Sequence, residues 1–444
     1  KSDARRGVGM KETRASFALL FFIIAAHIAH LLPQTNVTSE ITQNYPASVC
    51  PGPVGDARAT ALLPSKNTTF RSLAKPKSEL RKNGQGSFLQ NDGAIFIAGN
   101  PINNLQIQSK QNRWTAAVNC EVGNNTSWFA GGTANVTSQT KLVLVNSGLG
   151  EAIVDVTSYS ENGSTASVPI TVKASSEKII RVDSFDPGSS RIVLKVETRS
   201  GRIASFMLDE RVRGLNNLGA DFVSPIFNPD AELIIAGIPI RYGNSNKAKH
   251  TLRLMSTSNV DANASVEIIS PEGVFIPVGL GEISLKAQTV KDFDLADLDL
   301  GNKTFAIKIN ASAPVVGGIF TEVKTGEVSD FMWSAPSNSF GNVSINLYGL
   351  EPTVTFVGEK ILVNVNWKNN RGKEFSKTLI GDEVLNWKVP SGVRLISFTN
   401  QSGVKAGMNW ISRDGVTHLP VKQNTDLESA TKPVADISVI RAGK

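Results

Sequence analysis

The sequence predicts an all-β protein in which tandem immunoglobulin-like β-sandwich units follow an N-terminal transmembrane helix. Three observations predict it. One long stretch of the chain recurs, apolar residues in it alternate with polar ones, and a single uncharged segment lies near the N-terminus. Val, Ile, Thr, Ser, Asn and Gly dominate the 444 residues, and this composition favours strands over helices.

The N-terminal region predicts a membrane anchor. Residues 1–14 form a basic segment, and residues 15–32 then run from Ala15 to Leu32 without a formal charge, just long enough for a transmembrane helix. Basic residues before the span place the N-terminus in the cytoplasm. We therefore expect a single-pass plasma-membrane protein whose bulk is extracytoplasmic. A cleaved signal peptide is the alternative, but no small-x-small cleavage site supports it.

A linker is predicted over residues 33–45, followed by a small N-terminal β domain over residues 46–135. Two cysteines, Cys50 and Cys120, belong to no metal or redox motif. In an exported chain we expect them to form a disulfide, which would close a loop worth about 4 kcal/mol of stability. Two unrelated buried thiols are the alternative.

The repeat is visible without gaps over long distances. Ile170–Ala174 matches Ile283–Ala287 at a shift of 113, which also places Phe206 on Ile319. Upstream strands match at a shift of 110, and a fainter third copy matches Ala152–Val156 to Ile361–Val365. Repeats of this length are domains or half-domains. The predicted divisions are β-sandwich repeats over 136–240, 241–340 and a divergent 341–420, then a tail or strand over 421–444.

Alternation within the copies predicts the sandwich. Val154 and Val156 share one face of a strand while Asp155 and Thr157 share the other. A period of two with one apolar face indicates half-buried antiparallel strands that pack on a second sheet. Strands at this spacing with no helical crossover favour an immunoglobulin-like sandwich. A β-propeller is the alternative, but its blades recur at shorter intervals.

The charge distribution argues against nucleic acid as a partner. The net charge is +7, and the first 85 residues hold 12 basic against 5 acidic residues, so the remainder is balanced. A balanced folded region offers no basic stripe for a phosphate backbone.

Catalytic and cofactor motifs are absent from the sequence, so we predict a non-enzyme without cofactors. Outside the N-terminal segment, His250 and His418 are the available histidines, and both stand at ordinary strand positions. A cluster of acids resembles a calcium loop but lacks its full motif, so a solvated strand face is the preferred interpretation. The acids are Asp292, Asp294, Asp297 and Asp299.

Aromatic residues are the candidates for ligand contact. Trp387 and Trp410 occur in the third repeat alone, and we predict them as contacts to sugar rings. Trp367 lies on the inward face of its strand and is predicted to belong to the core.

The run from Trp114 to Gly148, with Cys50-Pro-Gly-Pro53 upstream and Asp330–Pro336 downstream, resembles a family of actinobacterial exported proteins. That family is classed only as a domain of unknown function. The resemblance covers residues 45–415. It implies a single-span, membrane-anchored protein with a large extracytoplasmic β-region, encoded near cell-envelope glycosyltransferases, and it supplies no active-site residues.

Together these observations predict a non-enzymatic, membrane-anchored extracytoplasmic scaffold or accessory protein of the cell envelope. Its expected partners are the membrane and an envelope glycosyltransferase or cell-wall polysaccharide. The alternatives are a carbohydrate-binding surface adhesin and, third, an envelope hydrolase with two carboxylates in a cleft.

Overall fold

The computed structural model describes residues 19–21, 23–25 and 43–428. Gaps within that range fall at 65–67, 83, 85, 112, 243–245, 296–303, 326–327, 402, 413–414 and 424–426. Nearly all regular secondary structure in the described chain is strand, which confirms the all-β class. Most of the predicted span Ala15–Leu32 lies outside the described residues. In the described part, no helix combines the length and apolar character needed to cross a membrane.

Residues Asn44–Leu427 form one compact unit. Its N-terminal part, here called the N-terminal module, contains two four-stranded antiparallel sheets. In order across the first sheet, the strands are Ser48–Cys50, Ile95–Ile97, Thr69–Ser72 and Arg81–Lys82. In order across the second, they are Trp114–Asn119, Leu105–Lys110, Arg58–Leu62 and Ser87–Gln90.

Three β-units follow, each with eight strand positions. In the first β-unit these are Thr126–Ala130, Lys141–Asn146, Ala152–Ser160, Val168–Val172, Ser176–Arg181, Ile192–Ser200, Ile203–Arg213 and Asn216–Val223. In the second they are Asp230–Ile238, Lys249–Ser256, Ala262–Ser270, Ile283–Leu285, Lys291–Asp294, Phe305–Thr325, which fills positions six and seven, and Val328–Ser334. In the third they are Asn342–Asn346, Thr353–Asn369 for two and three, Glu374–Lys388 for four and five, Val393–Asn400, Lys405–Ser412 and Gly415–Pro420.

The short remaining strands lie at edges and turns. They are Gln43–Asn44, Ile102–Asn103, Gly163–Ser164, Arg241–Tyr242, Asn246–Lys247, Gly273–Phe275 and Leu427–Glu428, and a single 3-10 turn in the described part spans Val182–Ser184.

The three β-units pair their strands in the same order. Positions one, six, three and four form one antiparallel ladder, and positions five, two, seven and eight form another. The central pair of positions three and six keeps its register in all three. The equivalent pairs are Val156–Val196, Val266–Ile309 and Val365–Phe398, and all six side chains are buried.

This order differs from that of an immunoglobulin domain. There the first strand pairs with the second, and the seventh pairs with the sixth. Here the first strand pairs with the sixth and the seventh with the second. Two packed sheets are present, so the architecture is sandwich-like, but its first and seventh strands have exchanged sheets relative to that fold.

One predicted equivalence is displaced by a residue. The sequence match places Phe206 on Ile319, whereas Leu142 pairs with Met207 and the equivalent Leu252 pairs with Ile319. Met207 and Ile319 are therefore the corresponding core residues, and Phe206 points to the opposite face of its strand. A slip of one residue along a strand moves every side chain to the other face.

Neighbouring parts of the compact unit share their cores. Phe331 and Trp333, on the eighth strand of the second β-unit, lie in the core of the first. Phe206 packs with Trp114 of the N-terminal module. Leu105, also of this module, packs in the core of the third β-unit. These shared cores cross the predicted boundaries at 135, 240 and 340. The boundaries themselves stay predictions.

Candidate functional site

The predicted disulfide is confirmed. Cys50 and Cys120 are bonded over a sequence separation of 70 residues. Both half-cystines are buried in a cluster with Phe70 and Ile95. The bond ties the first strand of the N-terminal module to the residue that follows its last strand, so it closes the module.

Two buried aspartates join the eighth strands of all three β-units. Asp221, in the first β-unit, accepts a hydrogen bond from the Trp333 backbone N–H at 2.9 Å. Asp330, in the second, accepts in return from the Ala220 N–H at 3.3 Å. Both also reach the third β-unit. Asp221 accepts from the Thr417 hydroxyl at 2.8 Å, and Asp330 from the Val416 N–H at 3.0 Å.

We call Asp221, Asp330 and Thr417 the aspartate junction. Its hydrogen bonds hold the eighth strands of the three β-units together. Burial raises the pKa of Asp330 to about 8, against the opposing effect of backbone N–H groups from Val416, Phe331 and Ala220. Burial also raises the pKa of Asp221, and the neighbouring Asp330 adds to the effect. Perturbed carboxyls occur at catalytic sites and in structural networks alike. Here the carboxyl oxygens are occupied by protein donors, which favours the structural role.

The raised pKa of Asp330 predicts how stability depends on pH. Between pH 3.8 and about 8 the folded chain holds a proton that the unfolded chain has released. The free energy of unfolding should therefore fall as pH rises through this range, by up to about 1.4 kcal/mol per pH unit. Urea unfolding at pH 7, 7.5 and 8 should show the free energy of unfolding falling, and Asp330→Asn should reduce the slope, leaving the part that comes from Asp221. An unchanged slope in the variant would contradict the assignment.

The measurements start at pH 7 because of two buried histidines. Burial lowers the pKa of His250 and of His418 to about 4. Each stays neutral in the fold while the unfolded chain gains a proton below pH 6.5, so their contribution to stability is lost as pH falls from 6.5 to 4. The histidines therefore oppose the aspartates most strongly below pH 6.5, and their effect fades between pH 6.5 and about 7.5 as the unfolded histidines lose their protons.

Both histidines have structural partners. The Nε2–H of His418 donates to the Ala236 carbonyl at 2.7 Å, which links the third and second β-units. Nδ1 of His250 lies 3.1 Å from the Thr321 hydroxyl. These contacts agree with the expectation of ordinary strand positions for both residues.

The acidic cluster is not a uniform solvated face. Asp292 forms a two-point ion pair with the buried Arg253, at 2.8 and 3.0 Å. Arg253 in turn donates to the carbonyls of Gly132 and Ile192 in the first β-unit. Asp294 is exposed, while Asp297 and Asp299 lie outside the described residues. Within the described ranges, no group of three or more histidines, cysteines and acids is placed to hold a metal ion.

The two predicted tryptophan contacts are not surface platforms. Trp410 is 6% exposed and lies in the core of the third β-unit. Trp387 is half-buried, and its ring packs against Phe398 and Trp367 at centroid distances of 6.5 and 5.9 Å. Trp410 is therefore a core residue, and Trp387 supports the core from its rim. Trp367 also packs against this core and stacks on Phe375.

The described surface contains a different candidate, a polar groove on the outer face of the third β-unit. Its cavity has a volume of about 470 Å³. The lining comes from three neighbouring strands and comprises Asn366, Trp367, Lys368, Glu374, Phe375, Ser376, Leu395 and Ser397.

Strand register builds the polar groove. Asn366 pairs with Ser376 on one side and with Ser397 on the other, so an amide and two hydroxyls form a row across the sheet. In the next row Lys368 and Glu374 form an ion pair at 3.1 Å. On the other side, the Thr378 hydroxyl donates to the Asn364 side chain at 2.8 Å. On the Asn364 side, the uncharged donors and acceptors therefore continue into a second row beyond the groove.

The same face is charged in the other two β-units. Register places Ser397 where the first β-unit has Lys195 and the second has Lys308. Lys195 pairs with Glu197 at 2.8 Å, and Lys308 with Glu232 at 3.2 Å. The third β-unit has thus replaced ion pairs by amide and hydroxyl groups, which can each bond a neutral polar ligand.

Sequence reasoning places Asn364 and Asn366 on the outward face of their strand but does not single them out as a site. The difference that marks this site in the sequence is that Lys195 and Lys308 correspond to Ser397 in the third copy. Recognising it as a site requires knowing that strand positions three and six pair, and the structure supplies that pairing.

These features define an all-β, disulfide-linked protein with three sandwich-like β-units around a buried aspartate junction. A model for a family of unknown function, DUF5719, matches residues 103–374, more than half of the chain. The chain belongs to this family. The predicted resemblance to a family of unknown function is confirmed to that extent, while an actinobacterial origin and a membrane anchor stay predictions.

Two solved structures show remote similarity. One, described as Thermotoga maritima 1070, has 14% identity and a TM-score of 0.21, covering 24% of this chain and 94% of that one. The other, a tetra-tandem repeat in the extending region of a large adhesion protein, has 11% identity and a TM-score of 0.11, covering 83% and 92%. A search of curated proteins gave no match.

Proposed function

We propose that this protein is a non-enzymatic extracytoplasmic scaffold of the cell envelope that binds polysaccharide through the polar groove. The three β-units would act as tandem sandwich domains on a membrane anchor at residues 15–32. The buried disulfide supports an oxidising, extracytoplasmic location, because such bonds are rare in the cytosol.

One structural feature supports polysaccharide as the ligand. Among three equivalent faces, the one in the third β-unit alone presents the uncharged row of Asn366, Ser376 and Ser397 across neighbouring strands. Sugar hydroxyls both donate and accept hydrogen bonds, as these amide and hydroxyl groups do. A few converging polar groups in a concavity are also the usual makeup of a ligand site.

We expect the double variant Asn366→Ala with Ser397→Ala to bind polysaccharide about tenfold more weakly, since each lost hydrogen bond contributes about 0.5–1.5 kcal/mol. Binding is measured by calorimetry with oligosaccharides cut from the purified cell-wall polysaccharide of the host. Asn263→Ala, an exposed asparagine on the equivalent strand of the second β-unit, is the matched control. Equal affinity in the double variant and wild type would rule out the polar groove as the site.

A protein partner is part of the same proposal. Crosslinking in intact cells, followed by affinity purification in mild detergent and mass spectrometry, tests for an envelope glycosyltransferase. Recovery of one would support an accessory subunit. Recovery of glycan without protein would favour a carbohydrate-binding adhesin.

A further inference from the structure

The polar groove runs across the strands of the third β-unit rather than along one of them. Its outward-facing lining takes two side chains from each of three neighbouring strands. Two successive outward residues of one strand lie about 7 Å apart, whereas the outer members of three adjacent strands lie about 10 Å apart. The long direction of the concavity therefore crosses the strands.

A row of uncharged polar side chains follows this direction over four strands. Asn366 pairs with Ser376 on one side and with Ser397 on the other. Ser397 pairs in turn with Ser344, on the first strand of the β-unit. The hydroxyls of Ser397 and Ser344 lie 2.7 Å apart, so both face the same side of the sheet. We call Ser376, Asn366, Ser397 and Ser344 the cross-strand row.

The sheet limits the length of the cross-strand row. Ser376 lies on Glu374–Lys388, which pairs with Thr353–Asn369 alone among the described strands. At the other end, Ser344 pairs with Ile102 of the N-terminal module, an apolar residue. Neighbouring strands lie about 4.8 Å apart, so the row is about 14 Å long, roughly the length of three sugar units in an extended chain.

The next row of the same face is uncharged as well. In strand order it comprises Thr378, Asn364, Thr399 and Asn342. All eight side chains of the two rows are exposed or half-buried. Among the described residues, the side chains of Asn366 and Ser376 have no hydrogen-bond partner, so their donors and acceptors are available to a ligand.

Among the described β-units, the third alone has an open cross-strand row. Ser344 is half-buried, whereas the residues at its place in the other two β-units are covered by a neighbouring unit. Trp128 of the first is buried against Met255 of the second. Ile234 of the second is buried against Val357 of the third. The third β-unit therefore differs from its copies in access as well as in charge.

We propose that the cross-strand row binds a neutral glycan in an extended conformation, with the sugar chain perpendicular to the strands. This inference rests on the function proposed above and adds the class, the direction and the length of the bound glycan. The spacing between strands is close to the length of one sugar unit in an extended chain, so successive sugars meet successive strands. Each strand then offers one amide or hydroxyl group to one sugar.

Calorimetry on the full chain with glucose oligomers tests the shape and length of the ligand. Cello-oligosaccharides are extended, and we expect their affinity to rise from two units to about four and then level off, because the row spans four strands. Maltohexaose has the same sugar in a helical chain and should bind at least about tenfold more weakly than cellohexaose. Equal affinity for these two oligomers would overturn the proposal.

Salt dependence tests the neutral class of the ligand. Affinity for cellotetraose should change less than about twofold between low and high NaCl concentration, since no charged pair forms with the ligand. A loss of about tenfold or more at high salt would show that charges bind the ligand and would overturn the proposal.

Two variants that each remove one hydroxyl separate the possible directions of the chain. Ser344 belongs to the cross-strand row, whereas Thr378 lies one row away on the strand of Ser376. Ser344→Ala should weaken cellotetraose binding about two- to tenfold, the effect of one lost hydrogen bond, and Thr378→Ala should leave it unchanged. The reverse result would place the glycan along the strands and overturn the proposed direction.

Ser397→Lys with Thr399→Glu gives the third β-unit the charges of the first. The first β-unit carries Lys195 and Glu197 at these positions, paired at 2.8 Å, so the fold should persist and the net charge is unchanged. Cellotetraose binding should fall at least about tenfold, because a neutral ligand would displace water from both charges without replacing it. Unchanged affinity would overturn the site.

The same measurements distinguish this inference from the function proposed above. If wall oligosaccharides bind through Asn366 and Ser397 while cello-oligosaccharides do not bind, the extended neutral glycan is wrong and the polysaccharide site stands. If wall oligosaccharides bind equally well to the Asn366→Ala with Ser397→Ala variant, both proposals fail.

Discussion

Replacing Asp330 by alanine is expected to lower the free energy of unfolding by about 2–6 kcal/mol, the largest single-residue effect that we predict. The variant would leave the buried N–H groups of Ala220 and Val416 without an acceptor. Each unsatisfied buried donor costs about 1–3 kcal/mol. The loss falls on two other β-units, so it should loosen their association as well as the strand that carries Asp330.

Urea unfolding gives the loss of stability, and amide hydrogen exchange shows where it falls. Protection should decrease in the three eighth strands, Asn216–Val223, Val328–Ser334 and Gly415–Pro420, before it decreases elsewhere. Asp382→Ala, which removes an acid on the surface of the third β-unit, is the control and should change stability by less than about 0.5 kcal/mol. Wild-type protection of all three strands in Asp330→Ala would show that the aspartate junction does not hold the β-units together.

Replacing both Cys50 and Cys120 by alanine should cost about 4 kcal/mol. The bond closes a loop with a sequence separation of 70 residues, and the gain in unfolded-chain entropy on opening a loop of that length has this size. The first strand, Ser48–Cys50, has only three residues, so the bond holds a strand that pairing alone fixes weakly.

Denaturant unfolding of oxidised and reduced wild type measures the bond itself. Cys120→Ala, compared with wild type under reducing conditions, measures the part that comes from packing of the side chain. We expect the double alanine variant and the reduced wild type to unfold at similar urea concentrations. If reduction leaves the midpoint of the wild type unchanged, the loop-entropy argument fails for this protein.

The equivalence of strands among the three copies is the most predictable part of the fold. The match of Val156 to Val266 and Val365, with the separate shift that relates Val196 to Ile309, identifies residues at equivalent places on positions three and six, and the structure shows that these two positions pair. Alternation carries this information because these strands bury one face. The displaced match at Phe206 occurs on a strand whose residues from Ile203 to Leu208 are all buried, where alternation gives no signal.

The candidate sites depend on contacts that sequence does not encode locally. Asp221-Phe222 and Asp330-Phe331 are the same dipeptide, but the hydrogen bonds that join their strands exist only once the first and second β-units meet. The prediction of Trp410 as a surface contact is wrong because its strand is buried on both faces, and such a strand shows no clear period in the sequence. The polar groove depends on Asn366 lying between Ser376 and Ser397, and this pairing of three strands is visible only in the structure.

The aspartate junction has a mechanical consequence. A chain of independent domains extends under tension by losing one domain at a time, each with its own step. Here the Thr417 hydroxyl bonds Asp221 and accepts from the Ala117 N–H of the N-terminal module, so tension on the third β-unit is passed to the first and to the module. When it is pulled from its ends, the compact region from Asn44 to Leu427 should therefore unfold in one cooperative event that begins at the aspartate junction. It should not extend in separate steps, one for each β-unit.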